Sequence, residues 1–160
     1  MLTSTLRIPL PARAASLLMA LFLAAGLLVA PSSTQRAEAA VPASVSYQAV
    51  RVAASLSGIR YTWGGASPST GFDCSGLTMY VYGKVGRRLP RTAQQQYDAT
   101  IKIPRTSARP GDLVFFGGSR SIYHVGIYAG SGYIWHSPRP GKVVSKVRLW
   151  TSAVTFARVR

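Results

Sequence analysis

The sequence is poor in acidic residues, histidine and cysteine. Its 160 residues include four Asp and Glu, two His and one Cys. A single cysteine excludes an internal disulfide framework, so a folded domain must be stabilised by its apolar core. That cysteine is either a small buried residue or a thiol retained for chemistry. One long apolar run is present, which excludes a protein with several membrane spans.

Residues 1–39 are typical of an export signal. Arg7 and Arg13 precede an uncharged, mostly apolar run over residues 14–30. The Ala-Glu-Ala of residues 37–39 then suits cleavage after its last alanine. An uncleaved membrane anchor is the alternative, because the apolar run is long for a signal. We predict an exported chain that has no membrane span after processing.

The rest of the chain suits one domain. Residues 40–160 span about 120 residues, the usual size of a single unit. We assign residues 40–46 to a short stub and residues 47–160 to the domain. Residues 40–160 carry 16 Lys and Arg against three Asp, a net charge of +13. Such a surface attracts polyanions, although it could also serve solubility alone. The basic residues are scattered and match no nucleic-acid motif, so we predict no nucleic-acid partner.

Residue patterns predict helices first and strands later. Helices are expected over residues 47–56 and 74–85, the second closed by Gly86, and a shorter one over 93–98 capped by Thr92. Residues 61–71 are expected to form a loop. The expected strands are 113–116, 122–129, 133–136, 143–149 and 154–159. This order predicts an α+β domain with the central helix on an antiparallel sheet.

The cysteine lies where the central helix is expected to begin. Asp73 is a good N-cap residue, which makes Cys74 the first residue of the helix. A thiol at this end of a helix lies near the positive pole of the helix dipole, which favours the nucleophilic thiolate. The alternative is a small apolar cysteine that begins a core helix.

The two histidines are expected on one face of a β-hairpin. A three-residue loop over 130–132, with Ala129 paired to Tyr133, makes His136 a diagonal neighbour of His124 on the same face. A register shift of one residue would separate the two histidines. One face of the predicted strand 122–129 is expected to present Ile122, His124, Gly126 and Tyr128.

Three interpretations of Cys74, His124 and His136 are open. In the first interpretation, the three residues form a catalytic set of nucleophile, base and orienting group. In the second, they bind zinc. We disfavour this because three ligands without a nearby carboxylate make an incomplete site and the spacing fits no common zinc motif. In the third, they are unconnected core and surface residues. We predict no metal and no cofactor.

Six segments in order resemble the NlpC-type cell-wall peptidases, which are papain-like cysteine hydrolases of bacterial peptidoglycan. The similarity runs from about residue 47 to residue 147. Each segment is weak evidence alone, whereas six in one order are specific. The segments are YTWGG (61–65), FDCSGL (72–77), LPRT (89–92), PGDLVFF (110–116), HVGIY (124–128) and HSP (136–138).

The resemblance implies a papain-like α+β fold and a Cys-His-His triad. In that triad Cys74 is the nucleophile, His124 the general base and His136 the third residue. The implied reaction cleaves a stem peptide, typically between D-glutamate and the diamino acid at position three. Alternatives are an amidase that cuts between muramic acid and L-alanine, a transferase, and a non-catalytic wall-binding protein. A secreted nucleic-acid-binding protein would rest on charge alone.

The resemblance also assigns three residues around the triad. Tyr61 matches a tyrosine beside the nucleophile, near the oxyanion. Asp73 and Ser75 match positions that flank the cleft and contact the amino end of the peptide in some relatives. The expected partners are peptidoglycan stem peptides and, through the basic surface, anionic wall polymers. We expect a monomer that is secreted to the cell wall or the medium.

Overall fold

The computed structural model describes residues 42–160, which form an α+β domain. Its helices are α1 (Ala43–Ser55), α2 (Cys74–Lys84) and α3 (Ala93–Asp98), with a short 3₁₀ helix at Arg105–Ser107. Its strands are β1 (Ala66–Ser67), β2 (Gly71–Phe72), β3 (Ile101–Ile103), β4 (Leu113–Gly118), β5 (Ser121–Gly130), β6 (Tyr133–His136), β7 (Ser145–Arg148) and β8 (Val154–Arg158). The expected signal segment and its cleavage point lie outside the described residues.

The strands form one antiparallel sheet of six and one small sheet of two. The order in the large sheet is β3-β8-β4-β5-β6-β7, and β1 pairs with β2. Neighbours in the large sheet all run antiparallel. This arrangement confirms the predicted fold class. Within residues 42–160 no helix is long and apolar enough to cross a bilayer.

The helices cover one face of the large sheet. Strand β4 shows why, because its side chains alternate between two apolar clusters. Leu113 and Phe115 are buried in the cluster that contains α1 and α2, whereas Val114 and Phe116 are buried in a smaller cluster on the opposite face. Leu77 of α2 is fully buried in the first cluster. Val125 and Ile127 of β5 are buried in the same cluster, so the central helix also packs against the strand that carries His124.

The ends of the central helices follow from local sequence. Gly86 has a φ of +76°, and its N–H donates to Gly83 O at 3.2 Å while Arg87 N–H donates to Tyr82 O at 2.8 Å. This pair of bonds is the Schellman motif, and it confirms Gly86 as the cap of α2. Thr92 forms a capping box at the start of α3, as predicted.

Four elements differ from the prediction. Helix α1 begins at Ala43, four residues before the predicted start, because Pro42 occupies the N-cap position with φ −54° and its carbonyl accepts from the first turn. Strands β1 and β2 lie in the predicted loop, and β3 was not predicted. All three strands have only two or three residues, too few for a periodic pattern.

The hairpin between β5 and β6 contains a bulge that changes the predicted register. Tyr128 pairs with Ile134, but Gly130 rather than Ala129 pairs with Tyr133. The predicted Ala129–Tyr133 pair is therefore wrong. Because the bulge absorbs one residue, the pairing of Tyr128 with Ile134 is as predicted and the histidines stay on one face.

A second bulge interrupts the face of β5. Phe116 pairs with His124, but the next residue of β4, Gly117, pairs with Ile122. The extra residue reverses the alternation. As a result Ile122 belongs to the helix-side core with Val125, and not to the face of His124 as predicted.

Candidate active site

Asp73 immediately precedes α2, and its carboxylate binds two backbone N–H groups. Its side chain accepts the N–H of Gly76 at 2.7 Å and the N–H of Gly64 at 3.0 Å. The first bond caps the helix and confirms Asp73 as the N-cap. The second bond ties the loop before β1 to the start of the helix. Cys74 is consequently held in a defined position at the first helical residue.

The sulfur of Cys74 lies against the backbone of β5. The thiol interacts with the backbone N–H groups of Val125 and Ser75 and with its own. Because Val125 directly follows His124, this contact brings the thiol next to the histidine-bearing strand. Backbone N–H groups that converge on one point can also stabilise an oxyanion.

The surroundings of Cys74 do not favour a resting thiolate. Burial raises the pKa of the thiol, and the negative charge of Asp73 raises it further, whereas the N–H groups of Val125 and Ser75 lower it. The net direction is upward. The prediction that the helix end would favour thiolate is therefore wrong for the resting protein, because desolvation opposes the charged form.

His124 and His136 form a buried pair. Nε2 of His124 lies 3.0 Å from Nδ1 of His136, and the two residues are 7% and 5% exposed. Burial lowers the pKa of both imidazoles to about 4, and the proximity of His136 contributes to the shift at His124. A Cβ at Gly126 would lie 3.1 Å from both Ile134 Cδ1 and Trp135 O, so the strand beside the pair leaves little room for a side chain at this position.

The roles of the ring nitrogens in the hydrogen bond between the histidines depend on the tautomers. Both imidazoles are neutral near pH 7, so one nitrogen donates and the other accepts. If Nε2–H of His124 donates to Nδ1 of His136, then Nδ1 of His124 carries a lone pair. A nitrogen of that kind is suited to take a proton from a thiol.

Tyr61 lies close to the thiol, and Ser75 is engaged with Asp73. Burial raises the pKa of the Tyr61 phenol, followed by the charges of Cys74 and Asp73. The Ser75 hydroxyl is buried, donates to Asp73 Oδ1 at 3.3 Å and accepts from Arg91 at 3.1 Å. Tyr61 is thus near Cys74, as the resemblance implied, and Ser75 directly follows Cys74 in the helix. Ser75 acts in the structure as a support for the helix start.

Two contributors to this region were not recognised from the sequence. Arg91 lies in the LPRT segment and forms a two-bond ion pair with Asp73. Trp150 lies between β7 and β8, with its ring centroid 5.5 Å from that of His136. No local pattern links either residue to a partner 14 or more positions away. Within residues 42–160 no cluster of three or more His, Cys, Asp or Glu could hold a metal ion.

The fold and these residues define a papain-like domain. The model of the NlpC/P60 family matches residues 58–158. The chain therefore belongs to the NlpC/P60 family. This confirms the resemblance found in the six sequence segments.

Individual proteins support the assignment. The chain is 47% identical over 106 residues to the bifunctional muramidase/DL-endopeptidase CwlT of Bacillus subtilis (strain 168), covering 62% of this chain and 32% of CwlT. It thus spans about a third of that relative. The NlpC/p60 domain of the peptidoglycan hydrolase SagA is 40% identical with a TM-score of 0.66, covering 72% of this chain and 98% of the SagA chain.

One similar structure is a non-catalytic protein. RipD from Mycobacterium tuberculosis, described as a non-catalytic NlpC/p60 domain protein adapted to peptidoglycan binding, is 30% identical with a TM-score of 0.63. The match covers 72% of this chain and 96% of RipD. Membership of the family is thus compatible with catalysis and with binding alone.

Proposed function

We propose that the protein is a peptidoglycan endopeptidase that uses Cys74 as its nucleophile. One observation carries the proposal. The Cys74 sulfur lies against the backbone next to His124, and His124 is bound in turn by His136 at 3.0 Å. Nucleophile, base and orienting group in this order are the arrangement that covalent acyl transfer requires.

The proposed reaction begins from a neutral thiol and a neutral imidazole. Nδ1 of His124 takes the proton of Cys74 as the sulfur attacks the amide carbonyl carbon. The carbonyl oxygen becomes an oxyanion, which the N–H groups at the start of α2 stabilise. The new imidazolium keeps its Nε2–H bond to His136, which is neutral because its pKa is about 4.

The second half of the reaction regenerates the enzyme. The tetrahedral intermediate collapses, the C–N bond breaks, and His124 gives its proton to the leaving amine. A thioester on Cys74 remains. Water then attacks the thioester while His124 accepts a proton from it, and the acid product and free thiol are released. No cofactor takes part in the proposed mechanism.

The substrate we propose is a peptidoglycan stem peptide, cut between D-glutamate and the diamino acid. The name of CwlT includes DL-endopeptidase activity, and SagA is named a peptidoglycan hydrolase. The charge of +13 over residues 40–160 would further attract anionic wall polymers. We also propose that the protein acts outside the cell as a monomer. Its amino-terminal sequence, read from culture medium, tests export and should begin after residue 39.

Digestion of purified muropeptides followed by mass analysis tests the reaction. Fragments ending in D-glutamate are the expected product, and Cys74→Ala should yield none. Release of the whole stem peptide from muramic acid would show an amidase instead. Addition of an amine to the acyl fragment would show a transferase.

The second candidate function is wall binding without catalysis, which the similarity to RipD favours. The two candidates differ in one assay. A catalytic protein digests walls and releases fragments, whereas a binding protein sediments with intact walls and releases none. Because Cys74 lies against the backbone next to His124 and His124 is bound by His136, we favour catalysis.

A further inference from the structure

Trp150 is a half-exposed aromatic residue in the connection between β7 and β8. Its side chain is 56% exposed, so one side of the indole faces solvent. The other side stacks on the buried ring of Phe116, with centroids 4.6 Å apart and planes 8° from parallel. The stacking holds the indole in a defined orientation above the sheet face that carries the histidines.

The same indole also lies against both histidines. Its centroid is 5.5 Å from that of His136 and 6.4 Å from that of His124. Phe116 contacts His124 as well, at 5.3 Å. The histidine pair is therefore enclosed by Phe116 within the sheet and by Trp150 toward solvent.

We infer that Trp150 is a positioning residue that covers the His124–His136 pair and keeps water away from its hydrogen bond. The inference concerns the state of the imidazoles. Its consequence for activity rests on the proposed function.

The causes of the lowered histidine pKa values show why the cover by Trp150 matters for the protonation of the pair. Burial is the only cause of the lowered pKa of His136, and burial followed by His136 accounts for that of His124. On α2, the Cys74 thiol lies against the backbone N–H of Val125, next to His124. Ser145 of β7 lies opposite His136. Exclusion of water is thus the main influence on these imidazoles.

The carboxylates of the described chain are engaged elsewhere. Asp73 binds Arg91 and Asp112 binds Arg158. Asp98 accepts from Gln94 at 3.0 Å on α3. Among residues 42–160, then, no aspartate side chain serves as a counter-ion that would keep an imidazolium charged beside Trp150.

Histidine NMR titration tests the inference directly, because the chain contains only two histidines. Both should titrate near pH 4 in the unmodified protein. In Trp150→Ala, water reaches the pair, and both pKa values should rise by at least about one unit toward the ordinary 6.5. Trp150→Phe keeps an aromatic cover and should stay close to the unmodified protein. The matched control is Trp63→Ala, at a tryptophan 86% exposed, which should change neither titration.

Activity provides a second measurement. The acid limb of kcat/KM against pH should move to higher pH in Trp150→Ala, and recover in Trp150→Phe. Unchanged histidine titration in Trp150→Ala would overturn the inference. If the unmodified protein proved inactive, the titration would still decide the role of Trp150, so the two proposals fail separately. Should Trp150→Ala not fold, Trp150→Gln suits the exposed position and should raise the same pKa values.

Discussion

Arg91 binds both carboxylate oxygens of Asp73, with Nη1 3.0 Å from Oδ1 and Nη2 2.5 Å from Oδ2. Asp73 immediately precedes Cys74 and caps the helix that Cys74 begins. Burial raises the pKa of Asp73, but its bonds to Arg91, Gly76 and Gly64 outweigh burial and hold that pKa below the usual value. The ion pair therefore keeps a charged cap at the start of the helix.

Replacement of Arg91 should destabilise the protein even where charge is kept. Lysine cannot form two parallel bonds to a carboxylate, so Arg91→Lys should lower the free energy of unfolding by about 1–2 kcal/mol. Urea unfolding at pH 7 measures the change. Arg88→Lys, at an exposed arginine in the same connection between α2 and α3, is the control and should change stability by less than about 0.5 kcal/mol. Equal effects of the two variants would contradict this role of Arg91.

Two glycines of α2 should respond to alanine in opposite directions. A Cβ at Gly76 would lie 2.1 Å from the carbonyl oxygen of Gly65, so Gly76→Ala forces the backbone apart. We expect a loss of about 2 kcal/mol or more. A Cβ at Gly83 meets nothing within 4 Å, and Gly83→Ala should stabilise the helix by about 0.5–1 kcal/mol. Thermal unfolding of both variants measures this contrast, and a loss of stability in Gly83→Ala would contradict it.

Substitutions in the proposed triad should reduce activity in a definite order. Cys74→Ala removes the nucleophile and should leave no measurable hydrolysis. His124→Ala removes the general base and should lower kcat by about 10²–10⁴-fold. His136→Ala removes orientation only and should cost roughly tenfold to a hundredfold. Muropeptide turnover by purified variants tests the order, and a His136 variant as inactive as the Cys74 variant would contradict it.

Stability should fall as the pH drops below about 6.5. The histidines have a pKa of about 4 in the folded protein and an ordinary value near 6.5 when unfolded. Between these values the unfolded chain binds more protons, so acid favours unfolding. The loss approaches roughly 3 kcal/mol per histidine as pH nears 4.

Urea unfolding between pH 6.5 and 5 isolates this effect, because carboxylates have barely begun to titrate there. The double variant His124→Gln with His136→Gln is the control and should show a nearly flat profile. A flat profile in the unmodified protein would mean that the histidines are not buried in the neutral form.

Wall binding should weaken as salt rises. Sixteen basic residues against three Asp over residues 40–160 predict an electrostatic attraction to anionic polymers, which salt screens beyond about 10 Å at 0.1 M. Sedimentation with purified walls at several salt concentrations measures it. Cys74→Ala is used so that digestion does not release the bound protein. Binding that is independent of salt would indicate a specific pocket instead.

Local sequence was sufficient where neighbouring residues decide the structure. The start of α2 at Cys74 and its end before Gly86 follow from a cap residue and a glycine in the left-handed region. The later strands follow from short apolar alternating runs. The shared face of the histidines was also predictable, since the hairpin connects them by a short loop and strand side chains alternate.

Only the tertiary structure decided how these elements meet. The bulges at Ala129 and Tyr123 depend on pairing between strands, and the second one turns Ile122 into the core against expectation. The positions of these bulges depend on side chains that pack from distant segments. No local sequence pattern contains that information.

The electrostatics of the candidate site was likewise a tertiary outcome. The helix end alone predicted a thiolate, but burial raises the pKa of Cys74 and lowers those of His124 and His136. Sequence by itself determined which residues are the candidates for the chemistry and which elements hold them. The folded structure determined their charge state, since water is excluded from these groups only once distant segments enclose them.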